Sequence, residues 1–513
     1  MVRDVRQFPD PRRAERGSSP KAAKPGPPRP KAAWNSPIRR RSDTIPVPGG
    51  LRPGERMRLR LPILALSLAF VALAPTPAFA AGGGGDASET LNVVLLLMGV
   101  GAAYLLAHFV VDRLQQRFLV LAGVEYLILG LLLGPTVPDI QVLGDLTGLL
   151  PIIALTAGWL GLLRGMELDL PSLRGRPKGT LRIIGAHHVA PGLLVGFAVY
   201  HFLWSPWGGY FFGELGVEAL TQRQVAASAF FLGCCAACDS STPFDLLVRR
   251  YEIEGDLTER LRGCARLGDV LVIIVFGLVF ALWHQRHEDQ IVLTATEWFV
   301  LEAGLGVGLG VLFTPFLGGN ESSHGRFLAM VGIICFASGA AFFLDLSPLA
   351  VNVFLGVLLV NVARTGKLIY ETLTTTEKPM LLVLYVLAGA LWEPPPLEPT
   401  LIVLVGFVVL RTLGKWFGSK IAAWGVEDMR KDLYRAFFAH GEVTVAMAVS
   451  FKVVFSGPVV NLVYTVVLAS AVFHDLLAPR ILRGLLVDAG DLKRERAQAP
   501  SAREFEEGEE VRA

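Results

Sequence analysis

Charged side chains are scarce in this sequence. They make up 18% of its 513 residues, where a soluble domain carries about a quarter. That scarcity argues against a large soluble globule. Cysteine is sparse as well: Cys234, Cys235, Cys238, Cys264 and Cys335 all lie in or at the edge of apolar segments. Such placement does not suit a disulfide framework. Cys234, Cys235 and Cys238 are close enough to suggest a metal site, but no further ligand set accompanies them, so small packing residues are the better reading. No nucleotide-binding fingerprint or soluble module is found, and no nucleophile, metal cluster or cofactor loop stands out. An enzyme is therefore the least supported class, and neither a cofactor nor a nucleic-acid partner is expected.

Apolar residues are what the chain has in abundance, at 52%. They fall into runs of about 18–25 residues, the length of helix that crosses a hydrocarbon core of about 30 Å. The expected fold class is an all-α polytopic membrane protein with about thirteen transmembrane helices in the lipid bilayer. The spans are expected near 91–111, 118–134, 148–166, 180–204, 224–248, 264–284, 291–317, 327–344, 348–363, 378–393, 399–424, 435–455 and 459–482.

Basic residues set the orientation, because cytoplasmic loops retain Lys and Arg. Starting outside, the loops predicted cytoplasmic hold Arg113 and Arg117; Arg174, Arg176, Lys178 and Arg182; Arg249, Arg250, Arg260 and Arg262; Arg326; Arg364 and Lys367; and Arg430 and Lys431. Those predicted outside hold only Arg223 and Arg286. The mature N-terminus is expected outside and the C-terminus in the cytoplasm.

Residues 1–56, rich in Pro, Arg, Lys and Ser, are expected to be disordered, and they read as an over-extended gene model. Residues 57–80 have a secretory layout: Arg58 and Arg60, an apolar stretch from Leu61 to Ala74, then Ala78-Phe79-Ala80. They are expected to be a signal peptide or an uncleaved signal anchor. Residues 81–484 are expected to form the transmembrane domain, and 485–513 a charged cytoplasmic tail.

Ionisable groups within spans are costly and mark ion or proton pathways. Asp269, in Leu267-Gly268-Asp269-Val270-Leu271, is the clearest; such a carboxylate can exchange a proton for a cation. Arg411 and Lys415 share a face of the eleventh span, and either can neutralise a midplane carboxylate while no ion is bound. Cys238-Asp239-Ser240-Ser241-Thr242-Pro243 puts a proline and several hydroxyls at mid-span, freeing carbonyls and side-chain oxygens. A parallel feature, His440-Gly441-Glu442, lies about two hundred residues on, as an inverted repeat would place it. His187, His188 and His474 are either pH-sensing or structural, and Glu302 has no evident partner.

Several stretches together resemble the monovalent cation:proton antiporter superfamily, especially its second branch, which includes bacterial Na+/H+ and glutathione-gated K+/H+ systems. They are Glu125 through Gly130 continuing to Gly134-Pro135; Gly165-Met166-Glu167-Leu168-Asp169; Ser240-Ser241-Thr242; Asp269; Leu346-Ser347-Pro348 through Gly356; Gly414-Lys415 with Gly418; and Gly441-Glu442. The resemblance implies a Na+/H+ antiporter-like fold of inverted repeats. In that fold a core domain with two crossing, broken helices slides against a dimerisation domain. It implies that Asp269 alternately binds a cation and protons, and that Asp239, Ser241 and Thr242 line the site. Lys415 and Arg411 would compensate charge, with Pro243, His440, Gly441 and Glu442 at the breaks. The implied activity is secondary antiport of Na+ or K+ against H+ by a homodimer in the bacterial inner membrane.

Some positions depart from the family pattern. Gly268 stands where electrogenic relatives have a second acid, which implies electroneutral exchange. Asp239, Pro243, Asp245 and His440 are also unusual. The alternatives are a proton-uncoupled channel or uniporter of the same fold, or a non-transporting sensor.

Overall fold

The computed structural model describes residues 123–134, 146–171, 179–213, 221–253, 255–284, 293–318, 323–363, 365–426 and 429–493. Among these there is no β-strand. The expected first span, residues 1–56, the signal segment 57–80 and most of the tail lie outside the described residues.

The helices follow the apolar runs: α1 (Val124–Leu133), α2 (Leu150–Met166), α3 (Gly179–Trp204), α4 (Pro206–Gly213), α5 (Gln222–Ala237), α6 (Thr242–Tyr251), α7 (Asp256–Leu282) and α8 (Ala295–Gly318). They continue with α9 (Ser323–Phe343), α10 (Pro348–Val362), α11 (Gly366–Thr374), α12 (Glu377–Ala390), α13 (Leu397–Ala423), α14 (Gly441–Val454) and α15 (Pro458–Ala489). Among the described residues, seven helical segments are long and apolar enough to cross a membrane, and α1, α2 and α10 are shorter apolar helices. The chain is a multi-pass membrane protein. α4 and α11 were not expected, being too short to register as spans; α11 is amphipathic, burying Ile369 and Leu373.

Close packing in a bilayer relies on small residues, because lipid gives apolar side chains no reason to leave it. α2 and α10 meet this way. A Cβ on Gly161 or Gly165 would fall on the Leu349 or Val353 carbonyl, and one on Gly356 would fall on the Leu162 carbonyl. The two backbones are therefore in direct contact. α12 packs on both α1 and α2, while α3 packs on α5 and α13. α14 is buried along its length, against α15 on one side and α2 and α12 on another.

The fifth and twelfth expected spans are interrupted. α5 ends at Ala237, the chain runs extended through Cys238, and α6 starts at Thr242. Pro243 falls in the first turn of α6, where its missing N–H costs nothing. It is thus the start signal of the second half-helix, and the interruption itself spans 238–241. In the twelfth span a 3-10 turn (Leu433–Arg435) leads to non-helical residues 437–440 before α14. Gly441 opens α14 with φ +73°, a conformation that favours glycine.

Candidate functional site

The two interruptions touch. A Cβ on Gly441 would collide with the Ser240 side chain, so the second break fits the first only because residue 441 has none. Asp269, 3% exposed on α7, lies beside this junction. Its Oδ1 accepts the Asp239 backbone N–H at 3.1 Å.

Asp239 is fully buried within the first break, and the Lys415 ammonium on α13 pairs with its Oδ1. The same ammonium donates to the carbonyls of Ala237 at 2.9 Å and His187 at 3.1 Å. His188 Nδ1 donates to the Ile184 carbonyl at 2.7 Å, which leaves Nε2 facing Asp239 Oδ2 at 3.3 Å. The His188 ring also occupies the space that a side chain at Gly268 would need. Where the sequence has no second acid after Leu267, the structure has an imidazole.

Arg411 differs from the expectation that it would neutralise a carboxylate. Its guanidinium donates to Phe438 O at 2.8 Å, Cys238 O at 2.9 Å and Ala439 O at 3.0 Å. It ties the two breaks together by their unpaired carbonyls. The reason is geometric: helix ends leave such carbonyls without intrahelical donors, and Arg411 is the long donor on the face of α13 that meets both.

The remaining expected residues divide between two neighbourhoods. Ser241 Oγ accepts from Arg266 Nε at 3.4 Å. Thr242 Oγ1 donates to Glu442 Oε2 at 3.2 Å, across 200 positions of chain. His440 Nε2 lies 3.0 Å from Ser470 Oγ, and the His440 ring stacks on Phe407. Glu302 is fully buried near Gly277 of α7 and accepts the Ser347 N–H at 3.3 Å.

The sequence profile described as "sodium/hydrogen exchanger, transmembrane" matches residues 102–484. The chain belongs to the sodium/hydrogen exchanger family. Two solved structures similar to this family member are of the sodium proton antiporter MjNhaP1 from Methanocaldococcus jannaschii. One, at pH 8, is 17% identical, with a TM-score of 0.50 over 78% of this chain and 99% of that one. The other, from an electron-microscopy map, is 15% identical, with a TM-score of 0.51 over 78% and 98%. At these identities the likeness is one of fold, which is the antiporter fold. No curated protein sequence matches the chain.

Asp475 and Arg164 are charged residues near the second break that the sequence of this exchanger-family chain does not single out. Asp475, on α15, accepts the His440 N–H at 2.8 Å and the Gly441 N–H at 3.2 Å, so it caps the second half-helix. A carboxylate in mid-span is itself a signal. Arg164, on α2, pairs with Glu442, Glu167 and Glu377. Near the end of a span it resembles an interfacial arginine, and nothing local reveals a partner 278 positions away.

Proposed function

We propose that the chain is a secondary antiporter that exchanges a monovalent cation, Na+ or K+, for H+, with Asp269 as the group that alternately holds the cation and protons. The observation that carries this reading is the contrast between two neighbouring buried carboxylates. Asp239 is held by Lys415, whereas Asp269 pairs with no basic side chain among the described residues and accepts a backbone N–H. An acid in that state is available to a cation or a proton in turn. Ser241 and Thr242, at the end of the first break, supply the hydroxyl oxygens that would complete a cation's shell.

The exchange is one-for-one and electroneutral on this reading. Residue 268 contributes no acid, and the charge of Asp239 is balanced by Lys415. Alternating access comes from sliding of the bundle that carries the breaks, in a homodimer. The membrane is the bacterial inner membrane, with the mature N-terminus outside behind a signal segment at 57–80 and the C-terminus inside.

The test is cation-driven proton flux in proteoliposomes, followed with a pH-sensitive dye for Na+, Li+ and K+ in turn. The native chain moves protons only with its cation, and Asp269→Asn abolishes the movement. Proton flux that persists in Asp269→Asn would defeat the assignment. Cation movement without protons would favour a channel, and a strong dependence on membrane potential would defeat electroneutrality.

A further inference from the structure

A second ionic centre adjoins the breaks through Thr242. Arg164 reaches three carboxylates from α2. Its Nη1 lies 2.8 Å from Glu167 Oε1 on the same helix, and its Nη2 lies 3.0 Å from Glu377 Oε1 at the start of α12. The same Nη2 pairs with Glu442 on α14. The side chains of Arg164, Glu167 and Glu442 are each under a tenth exposed. Arg266 on α7 stands 3.9 Å from Glu167 and 3.1 Å from Asp245 on α6, and the Tyr370 hydroxyl donates to Glu167 at 3.3 Å.

The three partners of Arg164 are not equivalent. Glu167 shares α2 with it, and α2 is locked backbone to backbone against α10. Glu377 stands on α12, which packs on α2. Glu442 is on the interrupted helix, one residue after Gly441, whose φ of +73° only a residue without Cβ adopts freely. A buried charge stripped of its partner is strongly destabilising. Arg164 is protected from that fate, since withdrawal of Glu442 leaves it with Glu167 and Glu377. Glu442 in turn holds the Thr242 hydroxyl at 3.2 Å, so the two half-helices are linked at this point.

We propose that Arg164 is the fixed half of a charge latch: through Glu442 it positions Thr242 in the conformation seen here, and it releases Glu442 while keeping Glu167 and Glu377 when α14 moves. The inference rests on the antiport reading, in which α14 belongs to the sliding bundle. Arg164 acts through another residue and is a positioning residue. An arginine held by one fixed and one docking carboxylate needs no third. The third is what makes the docking contact separable.

The experiment measures Na+ dependence of proton flux in proteoliposomes for the native chain and five variants. Arg164→Gln and Glu442→Gln each raise the apparent KM for Na+ by about five-fold or more, and the double variant is no worse than the poorer single one. Arg164→Lys recovers most of the native KM. Glu377→Gln lowers the maximal rate more than it alters KM, because Arg164 still has Glu167 and Glu442 in the closed latch but only Glu167 in the open one. Additive losses in the double variant would overturn the proposal. So would a fall in maximal rate alone in Arg164→Gln.

Amide hydrogen exchange over residues 436–447 of the same proteins in detergent supplies a readout that needs no transport. Arg164→Gln and Glu442→Gln speed it by about tenfold or more, while Glu377→Gln does not. Native protection in Arg164→Gln would overturn the latch whatever the flux shows. A native chain without flux but with the expected exchange pattern would instead overturn the antiport reading and leave the latch standing.

Discussion

At the first break the chain leaves a helix C-terminus, and the groups left without partners are carbonyls. Lys415 and Arg411 fill them, on Ala237, Cys238 and the incoming carbonyls of Phe438 and Ala439. At the second break the chain enters a helix N-terminus, and the groups left over are N–H donors. Here the partners are anionic: Asp475 caps His440 and Gly441, and Glu442 sits in the first turn of α14. Helix ends favour this arrangement, since the C-terminal end carries partial negative charge and the N-terminal end partial positive. The difference teaches why a bilayer tolerates two broken helices side by side. The helix C-terminus at the first break is met by cations and the helix N-terminus at the second by carboxylates, while Arg411 also reaches the carbonyls that precede the second helix.

The comparison can be broken most forcefully at Lys415. Lys415→Met leaves Asp239 buried without its counter-ion, and a destabilisation of about 3–5 kcal/mol is expected. Thermal unfolding in detergent measures it. Lys415→Met with Asp239→Asn recovers most of the loss, because the stranded charge is then gone. A single variant as stable as the native chain would show that the cation at the first break is dispensable.

Gly441→Ala comes next. A Cβ there meets Ser240 and forces a positive φ on alanine, at a combined cost of about 2–3 kcal/mol from the backbone and the overpacking. Adding Ser240→Gly relieves the collision and restores part of the stability, leaving the backbone strain. At the anionic side of the second break, Asp475→Ala strands two buried N–H groups for about 1–3 kcal/mol. Asp475→Asn keeps an acceptor and falls nearer the native chain.

The smallest effect lies outside the membrane, in the connection before the second break. The Arg430 guanidinium beside Asp432 holds its carboxyl below the usual carboxylate range. A carboxyl so depressed adds stability above that range and loses it as the pH falls through it. Asp432 is partly exposed, so the contribution is no more than about 1 kcal/mol. Asp432→Asn should be slightly less stable than the native chain at neutral pH, and the gap should close as the pH falls below the usual carboxylate range. A gap that persists in acid would assign the effect to packing.

Much of the fold was legible because the bilayer imposes it. Helices such as Leu150–Met166 and Pro348–Val362 coincide with expected spans to within about two residues, since apolar length is their defining property. The family likeness was carried by motifs at the helix breaks and glycine-lined contacts, where few residue types fit. The polar partnerships were harder to see. Lys415 was singled out as a charge-compensating group, yet its choice of Asp239 over Asp269 depends on how α13 docks against the first break. Arg411 was expected on a carboxylate because pairing rules speak of charges, while its three acceptors are backbone atoms that every sequence position has. Arg164 and Glu442 meet only through tertiary packing. Asp475 is legible as a mid-span carboxylate, although its N–H partners at the second break are not.

The helix that carries Lys415 has two incompatible environments around its circumference. Val403, Phe407, Arg411, Gly414, Lys415, Gly418 and Ser419 face inward, while Leu401, Val405, Val409, Leu413 and Trp416 are exposed. At 3.6 residues per turn, one inserted or deleted residue turns everything beyond it by about 100°. Such a change in the middle of Leu397–Ala423 would swing an ammonium into lipid and a tryptophan toward the first break. α13 can therefore vary in side chains but not in length, and changes of length belong to the connections at its two ends.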